Sequence, residues 1–407
     1  MSKFRLAHLG LVMAAIGFTA AVPVVGLSSI AYAADTVRAE VGKPLQEAQK
    51  LASAGKNKEA LAKLKEADAI GGKSPNETYL IERVRASAAA AAGDNDAAAK
   101  AFEYLINSGK LSGAEAPKFT EALAGIYYRA KDYPKAITWI ERSLKDNPNN
   151  AQMHDLLTQT YYISGKYAEA AKDINASKNP NEGQLQMLAN IQLKQNDKAG
   201  YVQTLEKLAG SYPKSSYWAD LLNRVSGKPG FSSALSLDVL RLRMANGLLT
   251  KPGEYMEMSQ LSLQAGNPAE AVKIVDQGYK KSILGVGADA ARQQRLKDLA
   301  AKTLADGEKS EPTQEAELIK NRDADGLGDL GFGLVTAGKA DKGLDLMNQA
   351  VKMDTAKRPD ALKLHLGIAQ MQAGKKAAAL ATFKTVKGTD GAADLARYWT
   401  LQINHPM

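Results

Sequence analysis

A turn residue recurs along this chain about every 35 positions. It stands at Gly55, Gly93, Lys131, Gly165, Asn196, Gly230, Gly266, Gly307, Gly338 and Gly374, with gaps of 38, 38, 34, 31, 34, 36, 41, 31 and 36 residues. Most of these markers follow a small residue placed seven positions earlier: Ala48, Ala86, Ala124, Ala189, Ser259, Ala300, Gly331 and Gly367. A period of this length belongs to stacked arrays, in which each unit is one supersecondary motif that buries its apolar face only against its neighbours. One continuous array therefore replaces the two or three domains that 407 residues would otherwise suggest.

The clearest unit runs from Phe119 to Asn150. Leu123, Ala124 and Tyr127 recur at helical spacing, Lys131-Asp132-Tyr133 make a turn, and Ala136, Ile140 and Leu144 share one face of a second helix that Asn147-Pro148-Asn149-Asn150 ends. The next unit repeats the grammar with Leu157, Tyr161, Gly165-Lys166-Tyr167, Ala170, Ala171 and Ile174. At 100° per residue the leucine, the small residue and the tyrosine form one stripe, and the small residue lets the second helix approach closely. The pattern resembles the tetratricopeptide repeat, whose period is ~34 residues. That resemblance implies an all-α, right-handed α-solenoid of about ten helical hairpins. After the last hairpin, Gly388-Thr389-Asp390-Gly391 reads as a helix stop and restart, and Leu395, Tyr398 and Trp399 suit a C-terminal capping helix. The markers at Gly230 and Gly307 fit least well. Between Ile283 and Asp325 the pattern thins into a charged stretch compatible with a hinge or a degenerate repeat.

The first thirty-three residues have a different composition. Lys3 and Arg5 precede an apolar run from Leu9 to about Ile30, and Ala31-Tyr32-Ala33 supplies a small-x-small cleavage site, so residues 1–33 read as a signal peptide and 34–407 as the solenoid. The expected location is the bacterial periplasm; the rival reading keeps the apolar run as an inner-membrane anchor facing the periplasm. Downstream, no stretch approaches ~20 consecutive apolar residues. The chain has no cysteine, which excludes disulfides, thiolate metal sites and a cysteine nucleophile. The net charge of +9 is spread over interleaved acids and bases, as in Lys63-Leu64-Lys65-Glu66, rather than gathered as nucleic-acid binding requires.

Catalytic and metal signatures are incomplete. Gly72-Lys73-Ser74 has Ala67 where a phosphate-binding loop needs glycine, and it reads as a turn before a helix starting near Pro75. Asn321-Arg322-Asp323-Ala324-Asp325-Gly326 resembles half of a calcium loop, but Phe332 replaces the closing glutamate. His154 and His365 stand apart from one another and from any general-base or metal spacing. Neither an enzyme nor a cofactor is expected.

The resemblance implies instead a polypeptide partner in the concave groove lined by the first helices. Beside the packing stripe, the groove positions of three central repeats hold Glu121, Gly125 and Tyr128; Asp155, Gln159 and Tyr162; and Gln186, Asn190 and Leu193. Tyr128, Gln159, Tyr162, Gln186 and Asn190 are the candidate partner-binding residues, because amides bond a peptide backbone and tyrosines give large contact area at low entropic cost. Glu121 and Asp155 disfavour an acidic peptide tail there. A second, apolar surface comprises Gly328, Phe332, Val335, Leu364, Ile368 and Met371, which suits either core packing or self-association. The alternative function is a helical accessory subunit or enzyme acting on cell-wall or exported glycan.

Overall fold

The computed structural model describes residues 37–407, so the expected signal segment lies outside the described residues. They form twenty α-helices, one short 3₁₀ turn and no strand, in two compact units divided after Ile191.

The first unit contains α1 (Ala39–Ser53), α2 (Asn57–Asp68), α3 (Pro75–Ala92), α4 (Asn95–Asn107), α5 (Ala116–Arg129), α6 (Tyr133–Asp146), α7 (Ala151–Ile163) and α8 (Tyr167–Ala176), and α9 (Glu182–Lys194) runs across the division. Odd-numbered first helices pair with even-numbered second helices. The second unit contains α10 (Lys198–Ser211), α11 (Ser215–Ser226), α12 (Ser236–Ala245), α13 (Pro252–Gln264), α14 (Pro268–Lys280), α15 (Ala290–Lys320), α16 (Ala324–Thr336), α17 (Ala340–Lys352), α18 (Pro359–Gln372), α19 (Lys376–Phe383) and α20 (Ala392–Asn404).

Nine of the ten turn markers adopt the left-handed conformation, with φ between +57° at Asn196 and +95° at Gly338. The following N–H then reaches back five residues: Asp132 donates to the Tyr127 carbonyl, Lys166 to that of Tyr161 and Lys339 to that of Leu334. Eight of these turns end a first helix and aim the chain into the second, whereas Gly230 stands four residues beyond the end of α11. Gly307 departs from the expectation. It lies inside α15, a single 31-residue helix where a hairpin was expected. Ion pairs hold the later half of that helix in place, with Glu311 bonded to Lys339 and Lys342 at 2.6 and 2.8 Å and Glu315 to Lys342 at 2.7 Å.

The small residues seven positions before the markers are all buried. Ala124 and Ala136 are fully buried between α5 and α6, as is Ala170 on α8. Helix starts are fixed by side-chain caps. Ser74 and Glu77 form a reciprocal capping box at α3, and Asp94, Asp132 and Asp197 each accept a backbone N–H three residues on.

The second unit closes on itself. Leu395, Tyr398 and Trp399 of α20 are buried, and the helix packs on α18 and α19 as a cap would. It also packs on α10 and α12: Arg397 pairs with Glu206 at 2.9 Å, Lys228 with Asp394 at 2.8 Å, and the Ser232 N–H donates to the Asp390 carbonyl at 2.9 Å.

Candidate functional site

In the first unit, neighbouring first helices are joined by side-chain bonds repeated from one hairpin to the next. The Asn150 amide caps α7 through Oδ1, which accepts from the Met153 N–H at 3.2 Å, while its Nδ2 donates to Glu121 on α5 at 2.7 Å. One repeat later, Asn181 and Gln184 cap α9 reciprocally at 2.9 Å, and Gln184 Nε2 donates to Asp155 on α7 at 2.8 Å. Each carboxylate therefore lies 29 residues before its amide donor. This device sets the register of α5, α7 and α9 side by side. Burial, followed by repulsion from Asp173, raises the Asp155 carboxyl above its ordinary range, and His154 opposes the shift.

The consensus tyrosines serve the scaffold. Tyr127 donates to Glu103 at 2.5 Å and Tyr161 to Glu141 at 2.8 Å, each reaching the preceding second helix. Burial, then the accepting carboxylate, raises both phenols. The adjacent tyrosines make a second repeated contact. Tyr128 meets Tyr133 with ring centroids 6.1 Å apart at 60°, and Tyr162 meets Tyr167 at 5.6 Å and 58°.

The five candidate residues fall on α5, α7 and α9, within the first unit, but they are not equivalent. Tyr128, Gln159, Gln186 and Asn190 are half-buried, each with part of its surface open to solvent. Tyr162 is only 9% exposed and belongs to a core cluster with Ala170 and Ile191. The expectation that it lies off the packing surface is thus corrected: α8 and α9 close over its ring, where Tyr128 keeps an open edge. Gln186 also bonds Glu182 along its own helix at 3.5 Å. The residues that sequence reasoning missed are Asn150, Asn181 and Gln184. Their common signal is an amide at a helix start, 26 to 29 residues after a carboxylate on the preceding first helix.

The apolar stripe of the second unit is core. Phe332, Val335, Leu364 and Ile368 are 1%, 5%, 0% and 0% exposed. The covering element is α12, whose Arg241 guanidinium stands 4.5 Å from the Phe332 ring centroid. The calcium-like segment is a turn. Asp323 caps α16 through the Gly326 N–H, and Asp325 accepts the Lys357 N–H at 2.9 Å.

The tetratricopeptide repeat family model matches residues 83–151 and 329–394, one stretch in each unit. Those two stretches carry tetratricopeptide-type repeats. Such repeats are typical scaffolds for protein–protein interaction and are generally non-enzymatic. Among solved structures, a tetratricopeptide repeat protein from Parabacteroides merdae is 11% identical, with 81% of this chain and 99% of that one covered at a TM-score of 0.32. Yeast Tom70 is 12% identical, with 89% and 96% covered at 0.25. The P58(IPK) TPR domain is 14% identical, with 83% and 99% covered at 0.22. No curated protein matches the chain. Among the described residues, no helix is long and apolar enough to cross a membrane.

Proposed function

We propose that this tetratricopeptide repeat protein is an exported scaffold of the bacterial envelope that holds a polypeptide segment along α5, α7 and α9. The observation that carries the reading is the contrast between two inner stripes. In the first unit Tyr128, Gln159, Gln186 and Asn190 keep surface open to solvent on successive first helices. In the second unit the corresponding stripe at Phe332, Leu364 and Ile368 is filled by the unit's own residues. Amides and a tyrosine edge suit the backbone of an extended peptide, which offers regularly spaced donors and acceptors.

Site-directed photo-crosslinking in cells tests the surface. A photoreactive residue at Gln159 or Asn190 should capture one defined protein, and the same group at exposed Lys145 on α6 should not. Equal capture from both faces would remove the groove as the site. Export rests on the leader alone, and N-terminal mass spectrometry of the periplasmic fraction should find Ala34 first. An intact Met1 in the membrane pellet would establish the anchor instead.

A further inference from the structure

Charged residues recur on the first helices of the first unit, and each is tied to the start of the next first helix. Arg83 of α3 bonds Glu115, the N-cap of α5. Glu121 of α5 accepts from Asn150, the N-cap of α7, and Asp155 of α7 accepts from Gln184 in the first turn of α9. These charges are engaged within the scaffold.

Arg129 is the exception. It is the last residue of α5, and its side chain is exposed. Of the five arginines among the described residues of the first unit, the other four have a carboxylate or an aromatic ring as partner. Arg129 has no hydrogen bond, ion pair or ring contact among the described residues. The protein around its guanidinium nevertheless desolvates it and lowers it from its ordinary value, with no acid opposing the shift. A side chain that is open to solvent and yet desolvated stands in a recess, not on a convex face.

The neighbours of Arg129 along α5 describe that recess. Gly125, one turn earlier, offers no side chain, and the adjacent Tyr128 keeps an open ring edge, so another backbone can come close to α5 at this level. Glu121 stands eight positions before Arg129. That is ~12 Å along the helix axis, beyond the ~8 Å screening length at physiological ionic strength. The repulsion expected of Glu121 and Asp155 therefore acts near the starts of the first helices and not at the level of Arg129.

We propose that Arg129 selects the partner's charge: its guanidinium takes the side-chain carboxylate of an aspartate or glutamate in the extended segment that Tyr128 and the groove amides hold. This rests on the reading that α5, α7 and α9 bind a polypeptide, and it adds the chemistry they prefer. The guanidinium fork matches a carboxylate with two parallel donors, and a recess poor in water strengthens the pair relative to an open surface. A cation in the last turn of a helix also offsets the helix dipole, a duty that lysine performs equally well. Only the paired donors are particular to arginine.

Selection from a library of random dodecapeptides, acetylated and amidated so that no terminal charge is present, tests the proposal on the purified protein. The wild type should enrich aspartate or glutamate at one position of the segments it retains. By fluorescence anisotropy, Arg129→Gln should bind the best such peptide about tenfold or more weakly, as loss of a charged hydrogen bond implies, and Arg129→Lys should fall between the two. Exchanging the peptide's acid for its amide should cost the wild type the same factor and cost Arg129→Gln nothing further. Because Arg129 has no bond within the chain, every variant should melt as the wild type does. Retained peptides without an acidic preference, or an acid whose exchange weakens Arg129→Gln as much as the wild type, overturn the proposal and leave the groove reading standing. Enrichment that appears only from a library with free carboxyl termini assigns the carboxylate to a chain end and overturns it too. Peptide binding that is unchanged in Gln159→Ala with Asn190→Ala removes the groove reading itself, and this proposal with it.

Discussion

Gly331 on α16 and Gly343 on α17 meet backbone to backbone: a Cβ on Gly331 would lie 2.6 Å from the Gly343 carbonyl oxygen, and a Cβ on Gly343 would lie 2.4 Å from that of Gly331. The contact is reciprocal and made by main chain, which no rotamer change relieves. Gly343→Ala should therefore force the hairpin apart and cost roughly 1–3 kcal/mol, the usual range for overpacking. Thermal melts followed by circular dichroism measure it, with Gly338→Asn, at the left-handed turn of the same hairpin, as a milder comparison. A Gly343→Ala protein as stable as the wild type would mean that the helices are not packed at this distance.

Asn150 has two duties, capping α7 and holding Glu121 of the preceding first helix. Asn150→Ala should lose about 1 kcal/mol, the ordinary value of a cap, plus the inter-repeat bond. Asn150→Asp separates the duties, because aspartate caps well but places a carboxylate against Glu121. It should be less stable than the wild type at neutral pH and recover when the pH is lowered into the carboxylate range. Equal stability of Asn150→Asp and wild type across that range would show that the bond to Glu121 contributes nothing.

The carboxylate of Glu77 sets an acid limit on the first unit. Its bond to the Arg38 side chain, followed by the backbone N–H groups of Ser74 and Arg38, holds it at about 2 instead of its ordinary 4.5. A depressed carboxylate contributes stability that is fully present above its unfolded value and is lost as pH falls through the folded one. The first unit should thus lose stability between about pH 4.5 and 2, and Glu77→Gln should flatten that part of the curve. The measurement is the melting temperature as a function of pH. An unchanged slope in Glu77→Gln would remove Glu77 as the cause.

Tyr128 and Tyr162 occupy the same position of successive repeats and should answer mutation differently. Tyr162→Ala opens a cavity in the core around Ala170 and Ile191, and loss of a large buried side chain costs ~3–5 kcal/mol. Tyr128→Ala should cost less stability because that ring is only half-buried. It should instead weaken partner capture, with a ΔΔG of ~2 kcal/mol or more if Tyr128 anchors the interface. Denaturant unfolding beside the photo-crosslinking yield separates the two effects. Equal loss of stability in both variants would place Tyr128 in the scaffold rather than the groove.

The sequence by itself determined the helical period, the turns and the close helix crossings. Nine turn markers are left-handed because glycine and asparagine, with a tolerated lysine, suit that conformation, and these are local preferences that any neighbour leaves intact. The small residues likewise announce where helices touch, since a larger side chain does not fit between α5 and α6 or between α16 and α17. Gly307 was misleading for a local reason as well: glycine permits a turn without requiring one, and the pairing of Glu311 with Lys339 and Lys342 favours a continuous helix. Only the tertiary structure decided which candidate stripe keeps surface open to solvent. Nothing near Phe332 or His365 in the chain announces Arg241 and Asp238, more than ninety residues away, because contacts across that span are set by how the intervening helices pack and not by local preference. Packing by the next two helices likewise separates Tyr162, covered by α8 and α9, from Tyr128, although both carry the same letter at the same place in the repeat.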